Sequence, residues 1–146
     1  MPMSAADLQG AMAQLSQELQ VIDRQIEQIE SEVTQIRTQQ TSMREAVRAI
    51  GELDTGATVQ VPLGGGAFVR ATIEDIDEVI VDLGGDYAAE QDATTATETI
   101  TRKREALDDR AEELLAELEG VVTRRSEVEQ QVQALQQQAQ MPQQGE

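Results

Sequence analysis

This chain of 146 residues has 28 acidic and 11 basic side chains, and its net charge of −17 disfavours binding to nucleic acid or anionic membranes. It contains no cysteine and no histidine, which excludes disulfides, thiolate chemistry, and the commonest general base and metal ligand. With one Phe, one Tyr and no Trp, it also lacks the large aromatic side chains of an ordinary globular core.

The N-terminal coiled-coil segment is predicted over residues 1–51, and its long helix is predicted to start at Ser4 or Asp7, a pair that resembles a capping box. Apolar residues recur at heptad spacing along it, and a stripe this long requires a partner helix. The two stripes comprise Leu8, Leu15, Ile22, Ile29, Ile36, Met43 and Ile50, and Met12, Leu19, Ile26, Val33, Gln40 and Val47.

Residues 52–90 predict two β-hairpins, because short stretches alternate at period two between glycine-rich turns. The predicted strands cover residues 58–63, 67–73, 78–83 and 87–90. Isolated small sheets are marginal in water and their open edges invite pairing. The hairpins are therefore predicted to bind another subunit through side chains such as those of Val59, Phe68, Ile73 and Ile80. The alternative is a self-contained capping sheet.

The C-terminal coiled-coil segment is predicted over residues 91–139, with its helix beginning between Gln91 and Ala96, and a flexible tail, 140–146, follows it. Its complete stripe comprises Ile100, Leu107, Leu114, Val121, Val128 and Leu135. Because the helices have similar lengths and the insert is short, we expect antiparallel pairing in which facing residue numbers sum to roughly 142. Gln40 and Arg104 would then form a polar layer that fixes the register. Alternatively, both side chains extend to solvent.

The predicted fold is α+β and mainly α: a long antiparallel two-helix coiled coil joined by two β-hairpins. Apolar residues at its free end have neighbours on one side only and stay partly wet, so they can contact exposed apolar surface on another molecule. The alternative is that these residues only complete the helix–helix seam, at helix ends that fray, and bind nothing. These residues are Ala5, Leu8, Ala11, Met12, Leu15, Val132, Leu135, Ala139 and Met141.

No residue set predicts an enzyme. The triplet Gly64–Gly66 is followed by no Lys-Ser/Thr pair and lies between strands, unlike a phosphate-binding loop. The acidic clusters at 74–78 and 108–113 do not follow a calcium-loop pattern, so we expect no metal site and no cofactor. No apolar run is long enough to span a membrane and no secretory signal is evident, which favours a cytoplasmic protein.

The acidic composition predicts adaptation to high internal salt, where screening reduces repulsion between carboxylates. Lys103 is the only lysine, and the other ten basic residues are arginine. The alternative is that the chain is merely an acidic coiled coil, and that its preference for arginine over lysine reflects codon usage.

The hairpin region contains two distinctive stretches, Val61-Pro62-Leu63-Gly64-Gly65-Gly66-Ala67-Phe68-Val69-Arg70-Ala71 and Val79-Ile80-Val81-Asp82-Leu83-Gly84-Gly85-Asp86-Tyr87. With these stretches the chain resembles the α subunit of archaeal prefoldin, and its acidic composition resembles a haloarchaeal member. The flanking helices have the lengths that this family requires.

This resemblance implies an ATP-independent chaperone that captures non-native client proteins at its coiled-coil tips and delivers them to a group II chaperonin. It implies two α subunits and four β subunits, joined by a β-barrel platform built from the hairpins. Client-binding residues by position are Ala5, Leu8, Met12, Leu135 and Ala139. Oligomerisation residues are Val59, Val61, Phe68, Val69, Ile73, Val79, Ile80 and Val81. The competing hypothesis is a structural coiled-coil spacer or scaffold subunit without client-holding activity.

Overall fold

The computed structural model describes residues 4–140, and its order of elements confirms the predicted helix, two hairpins and helix. The predicted tail, Met141 included, lies outside the described residues except for Gln140, which is the last helical residue. The elements are α1 (Ala5–Glu52), β1 (Thr58–Gly64), β2 (Ala67–Thr72), β3 (Val79–Gly84), β4 (Tyr87–Gln91) and α2 (Ala93–Gln140).

Both helices begin at a side-chain cap. The Asp7 backbone N–H donates to Ser4 Oγ at 3.1 Å, which confirms the predicted start of α1. At α2 the Thr95 backbone N–H donates to Asp92 Oδ1 at 2.7 Å. α2 begins at Ala93, within the predicted range of 91–96, because Gln91 still belongs to β4 and Asp92 must be non-helical to cap.

The cap predicts a pH dependence at α2. The hydrogen bond from the Thr95 backbone N–H, as the largest cause, lowers the pKa of Asp92 below its ordinary value. The carboxylate therefore stabilises the fold at neutral pH, and this contribution is lost as the pH falls below about 3.9 and through the folded-state pKa. We expect Asp92→Asn, which caps equally well without titrating, to lose less stability than the wild-type chain on acidification.

Urea unfolding followed by far-UV circular dichroism at neutral and acid pH measures this difference. Asp92→Ala is the control, because it removes the cap at every pH. Identical pH profiles for the wild-type chain and Asp92→Asn would contradict the assignment.

The chain divides into two compact units, of which the first contains residues up to Gln35 and those from Arg110 onward. Here α1 and α2 run antiparallel, since Glu18 pairs with Arg124 and Glu32 with Arg110, as the predicted sum requires. All of the buried side chains except that of Ala111 come from the stripes described above, which confirms those stripes as the helix–helix seam. They are Ile22, Ile29, Val33, Ala111, Leu114 and Val128.

The second unit, Ile36–Asp109, contains the two hairpins and the adjoining helix segments. β1 pairs antiparallel with β2 and β3 with β4, as two separate two-stranded sheets in the described chain. The base of the first hairpin is closed by the Gly56 N–H, which donates to the Ile73 carbonyl at 2.8 Å, and by the Ile73 N–H, which donates to the Ala57 carbonyl at 2.9 Å.

The two hairpins turn differently. Gly65 and Gly66 both have positive φ, 59° and 81°, as a type I′ turn requires at its central residues. In the second turn only the first central residue, Gly85, has positive φ, while Asp86 does not, which is the pattern of a type II′ turn. Both types match the right-handed twist of paired strands.

Gln40 is the buried polar residue of the seam, with 5% of its surface exposed. Its Nε2 donates to the Arg104 backbone carbonyl at 3.4 Å and to Asp108 Oδ1 at 2.5 Å. The predicted polar layer is therefore present, but Arg104 contributes its backbone, and the side-chain partner is Asp108, one turn further along α2. The alternative in which Gln40 extends to solvent is wrong.

Candidate functional site

The five predicted client-binding residues all lie in the first unit and are at least partly accessible. Leu8, Met12 and Leu135 are half-buried, whereas Ala5 and Ala139 are exposed. This is the intermediate exposure expected where a seam ends. Their role in binding clients stays a prediction.

A shallow groove lies between the ends of α1 and α2 and contains one of those five residues, Leu135. Its other apolar members include Ala11 and Leu15, which are among the predicted free-end residues, whereas Ala134 and three glutamines were not predicted. The lining residues are spaced by three and four in α1 and by three, four and seven in α2, and this spacing is the signal that could have found them. The groove is lined by Ala11, Gln14, Leu15, Gln131, Ala134, Leu135 and Gln138.

The groove lies within two helix stretches that carry no charge. Residues 8–17 of α1 and 130–140 of α2, here called the neutral segments, contain no Asp, Glu, Lys or Arg. In a chain in which 27% of residues are charged, a stretch of this combined length would ordinarily hold about six charges. The neutral segments are the longest uncharged runs of the two helices, and residues 55–69 of the first hairpin form a further uncharged stretch.

Toward the middle of the helices, charges resume beyond the neutral segments as ion pairs between α1 and α2, whereas Asp7 flanks the other side in the first turn of α1. Arg124 Nη2 donates to Glu18 at 2.5 Å, and Arg125 Nε donates to Asp23 at 2.7 Å. Hydrogen bonding to these carboxylates, as the largest cause, raises the pKa of both arginines above the ordinary value. Because these side chains remain well exposed, the pairs fix which residues face each other more than they stabilise the fold.

The predicted oligomerisation residues differ in exposure. Val81 is only 5% exposed and packs inside its own chain, because β3 places it toward the helix segments that carry Met43 and Ile100. The available surface comes from the other residues: Phe68 and Ile80 are exposed by 60% and 71%. Leu63 and Leu83, at the ends of predicted strands, and Tyr87 are exposed as well, although they are not among the eight residues named above.

The first hairpin presents an apolar face that the described chain leaves uncovered. Val59 lies opposite Ala71 and Val61 opposite Val69, so these four side chains share one face. Exposure increases toward the turn, where every residue from 61 to 70 is exposed. An uncovered apolar sheet with open edges is typical of an intersubunit surface.

Residues 22–138 match the sequence model of the Prefoldin family, described as Prefoldin subunit. The chain belongs to the prefoldin family. It is 54% identical over 112 residues to the prefoldin subunit alpha of Haloarcula marismortui, covering 77% of this chain and 73% of that protein. It is 62% identical over 69 residues to the same subunit of Halorubrum lacusprofundi, covering 47% of this chain and 45% of that one.

A filamentous prefoldin from Methanocaldococcus jannaschii, solved by cryo-electron microscopy, has the same fold. The TM-score is 0.54 at 24% identity, over 74% of this chain and 98% of that one. The resemblance of the hairpin region to an archaeal prefoldin α subunit is thus confirmed.

Two further findings concern only residues 4–140. None of the helices there has the length and apolarity needed to cross a membrane. Nor do three carboxylates come together there in a way that could hold a metal ion.

Proposed function

We propose that this prefoldin chain is an α-type subunit of a chaperone that captures non-native proteins at its coiled-coil ends. The observation that carries the proposal is the uncharged, partly exposed apolar groove around Leu15 and Leu135 in an otherwise strongly acidic chain. Capture requires no ATP and no turnover, and the held protein passes to a group II chaperonin in the cytoplasm.

Assembly uses the hairpins. Two such subunits combine with four β subunits through a β-barrel platform, in which the first hairpin contributes Val61 and Val69 from its apolar face and Phe68 from the other. Their exposure in the single chain and the unpaired strand edges support this arrangement.

Capture at one end is weak. Each apolar side chain contributes at most about 1.5–3 kcal/mol on full burial, and the groove residues are already partly covered. Several ends acting on one client raise the effective concentration of the second and later contacts, which increases the overall affinity. Weak individual contacts also let the client leave for the chaperonin.

Trimming both helix ends tests the proposal. A variant lacking residues 1–14 and 133–146 is expected to assemble with its partner subunits, because the hairpins are intact, but to lose suppression of client aggregation. Native mass spectrometry reports assembly and light scattering reports aggregation of a denatured client. Capture that survives the trimming would exclude the helix ends as the binding site.

Point substitutions give a matched control for the trimming. Leu15→Ser with Leu135→Ser removes apolar surface from the groove, whereas Val21→Ser with Val122→Ser removes exposed apolar surface outside the neutral segments. Only the first pair is expected to lose capture. Assembly without any aggregation suppression in the wild-type protein would favour the spacer hypothesis.

A further inference from the structure

We propose that the neutral segments hold an extended, uncharged apolar stretch of a non-native chain, with glutamine amides binding its backbone, so that capture depends little on the net charge of the client. This inference rests on the proposed function and specifies what the groove accepts.

The absence of charge is the first argument. With a net charge of −17, the chain repels acidic proteins over most of its surface. The groove avoids this repulsion because residues 8–17 and 130–140 carry no carboxylate, and Glu18, the first one beyond α1's neutral segment, is paired with Arg124. Asp7, in the first turn of α1, precedes the neutral segment on its other side, so an acidic client meets fewer like charges at the groove than along the rest of the helices.

The second argument is the chemistry of the rim. Gln14, Gln131 and Gln138 line the groove beside its apolar floor. In the described chain none of the three amides bonds to another residue, so they are available to a ligand. A primary amide both donates and accepts, as does each backbone unit of an extended peptide, whereas a carboxylate only accepts. Glutamine can thus bind a backbone in any register and without regard to sequence.

The size of the groove selects an extended segment over a folded partner. Seven residues line it, whereas a stable interface between folded proteins uses about 20–30 residues a side. Two copies of this chain that met only through their grooves would bury too little surface to form a stable dimer. A flexible strand with a few apolar side chains fits a groove of this size and can continue to the next subunit.

If the groove binds its client without ion pairs, added salt should not weaken client binding. No ion pair in the groove is available for screening, and burial of apolar surface is not weakened by added salt. A groove that bound its client through ion pairs would instead bind more weakly as salt is added, because the Debye length falls from about 10 Å near 0.1 M to about 3 Å near 1 M salt.

The test compares two sets of three charges. Gln14→Glu, Gln131→Glu and Gln138→Glu together place carboxylates on the rim, while Gln25→Glu, Gln28→Glu and Gln35→Glu place the same charge on exposed positions outside the neutral segments. Each variant is assembled with its partner subunits. The probe is fluorescently labelled lactalbumin, kept unfolded and acidic by reduction and carboxymethylation, and binding is measured by fluorescence anisotropy.

At about 0.1 M KCl the rim variant is expected to bind at least about tenfold more weakly, because three carboxylates repel the acidic probe and resist desolvation. The control should stay within about twofold of the wild type, and the rim deficit should narrow near 1 M KCl. Equal binding by the rim variant, or wild-type affinity that falls as salt rises, would overturn the inference.

A neutral rim variant tests the amides separately. Gln14→Met, Gln131→Met and Gln138→Met keep size and neutrality but remove the hydrogen-bonding groups, and should weaken binding several-fold. Unchanged affinity for the probe would overturn the role of the amides. If analytical ultracentrifugation showed that assemblies associate through these helix ends in the absence of client, the groove would instead bind a second copy of this chain. A wild-type assembly that fails to bind the probe at either salt concentration would instead overturn the proposed function itself.

Discussion

Leu114→Ala is expected to lower the free energy of unfolding by about 2–5 kcal/mol, the range observed when a fully buried leucine is truncated in a core that relaxes only partly. Leu114 is 1% exposed, in the first unit, one turn beyond the Arg110 that pairs with Glu32. Only two helices meet at each layer of the seam, so few neighbouring side chains can move into the cavity, and the sequence of the first unit contains no Phe, Tyr or Trp.

The neighbouring residue supplies the control. Leu115 is 41% exposed, so Leu115→Ala removes the same atoms from a position that is largely in water already. We expect a loss below about 1 kcal/mol for it. Urea unfolding of the assembled protein, followed by far-UV circular dichroism at fixed KCl concentration, measures both. Equal losses would mean that the seam does not bury Leu114 as described.

The second large effect is on salt dependence: Tm should rise by roughly 5–10 °C as KCl increases from about 0.1 M to molar concentrations. Two electrostatic contributions oppose each other. Screening weakens the attraction between Arg124 and Glu18 and the similar pairs, but these are exposed and contribute little. Screening also weakens the repulsion among 28 acidic side chains, which only 11 basic side chains offset. This loss of repulsion stabilises the fold by more than the weakened ion pairs destabilise it.

A charge-reduced variant tests the cause of that rise. Glu27→Gln, Glu30→Gln, Glu105→Gln and Glu117→Gln change exposed side chains that lie outside the ion pairs described here. The variant should have a higher Tm in dilute buffer and a smaller rise with KCl. A wild-type Tm that does not change with KCl would refute adaptation to high salt. If the Tm of the variant rose with KCl as steeply as that of the wild type, repulsion between these carboxylates would not be the cause of the salt effect.

The helices and strands were predictable because their signals are periodic and local. The stripe from Leu8 to Ile50 predicts a seam, and the glycines at 64–66 predict a turn, before any tertiary contact is known. Antiparallel pairing also followed from the two similar helix lengths around a short insert. Strand ends were off by a residue, since strand limits depend on hydrogen bonds that the alternation of side chains does not encode.

The missed features depend on which side chains meet across the two helices. Applied to the charged residues, the predicted sum would have paired Arg124 with Glu18 and Arg110 with Glu32. Asp108 as the partner of Gln40 could not be obtained that way, because the amide reaches one turn along α2 to find a carboxylate. The burial of Val81 likewise depends on how β3 packs on the helices, which alternation alone leaves open.

The position of Lys103 has a practical consequence for following movement within the second unit. Its Nζ donates to the Asp82 backbone carbonyl, so the only lysine side chain of the protein connects α2 to β3. An amine engaged in this way must leave its partner before an acylating reagent can react with it at full rate. The acylation rate of this single side chain therefore reports how often the amine leaves the β3 carbonyl, without any substitution in the sequence.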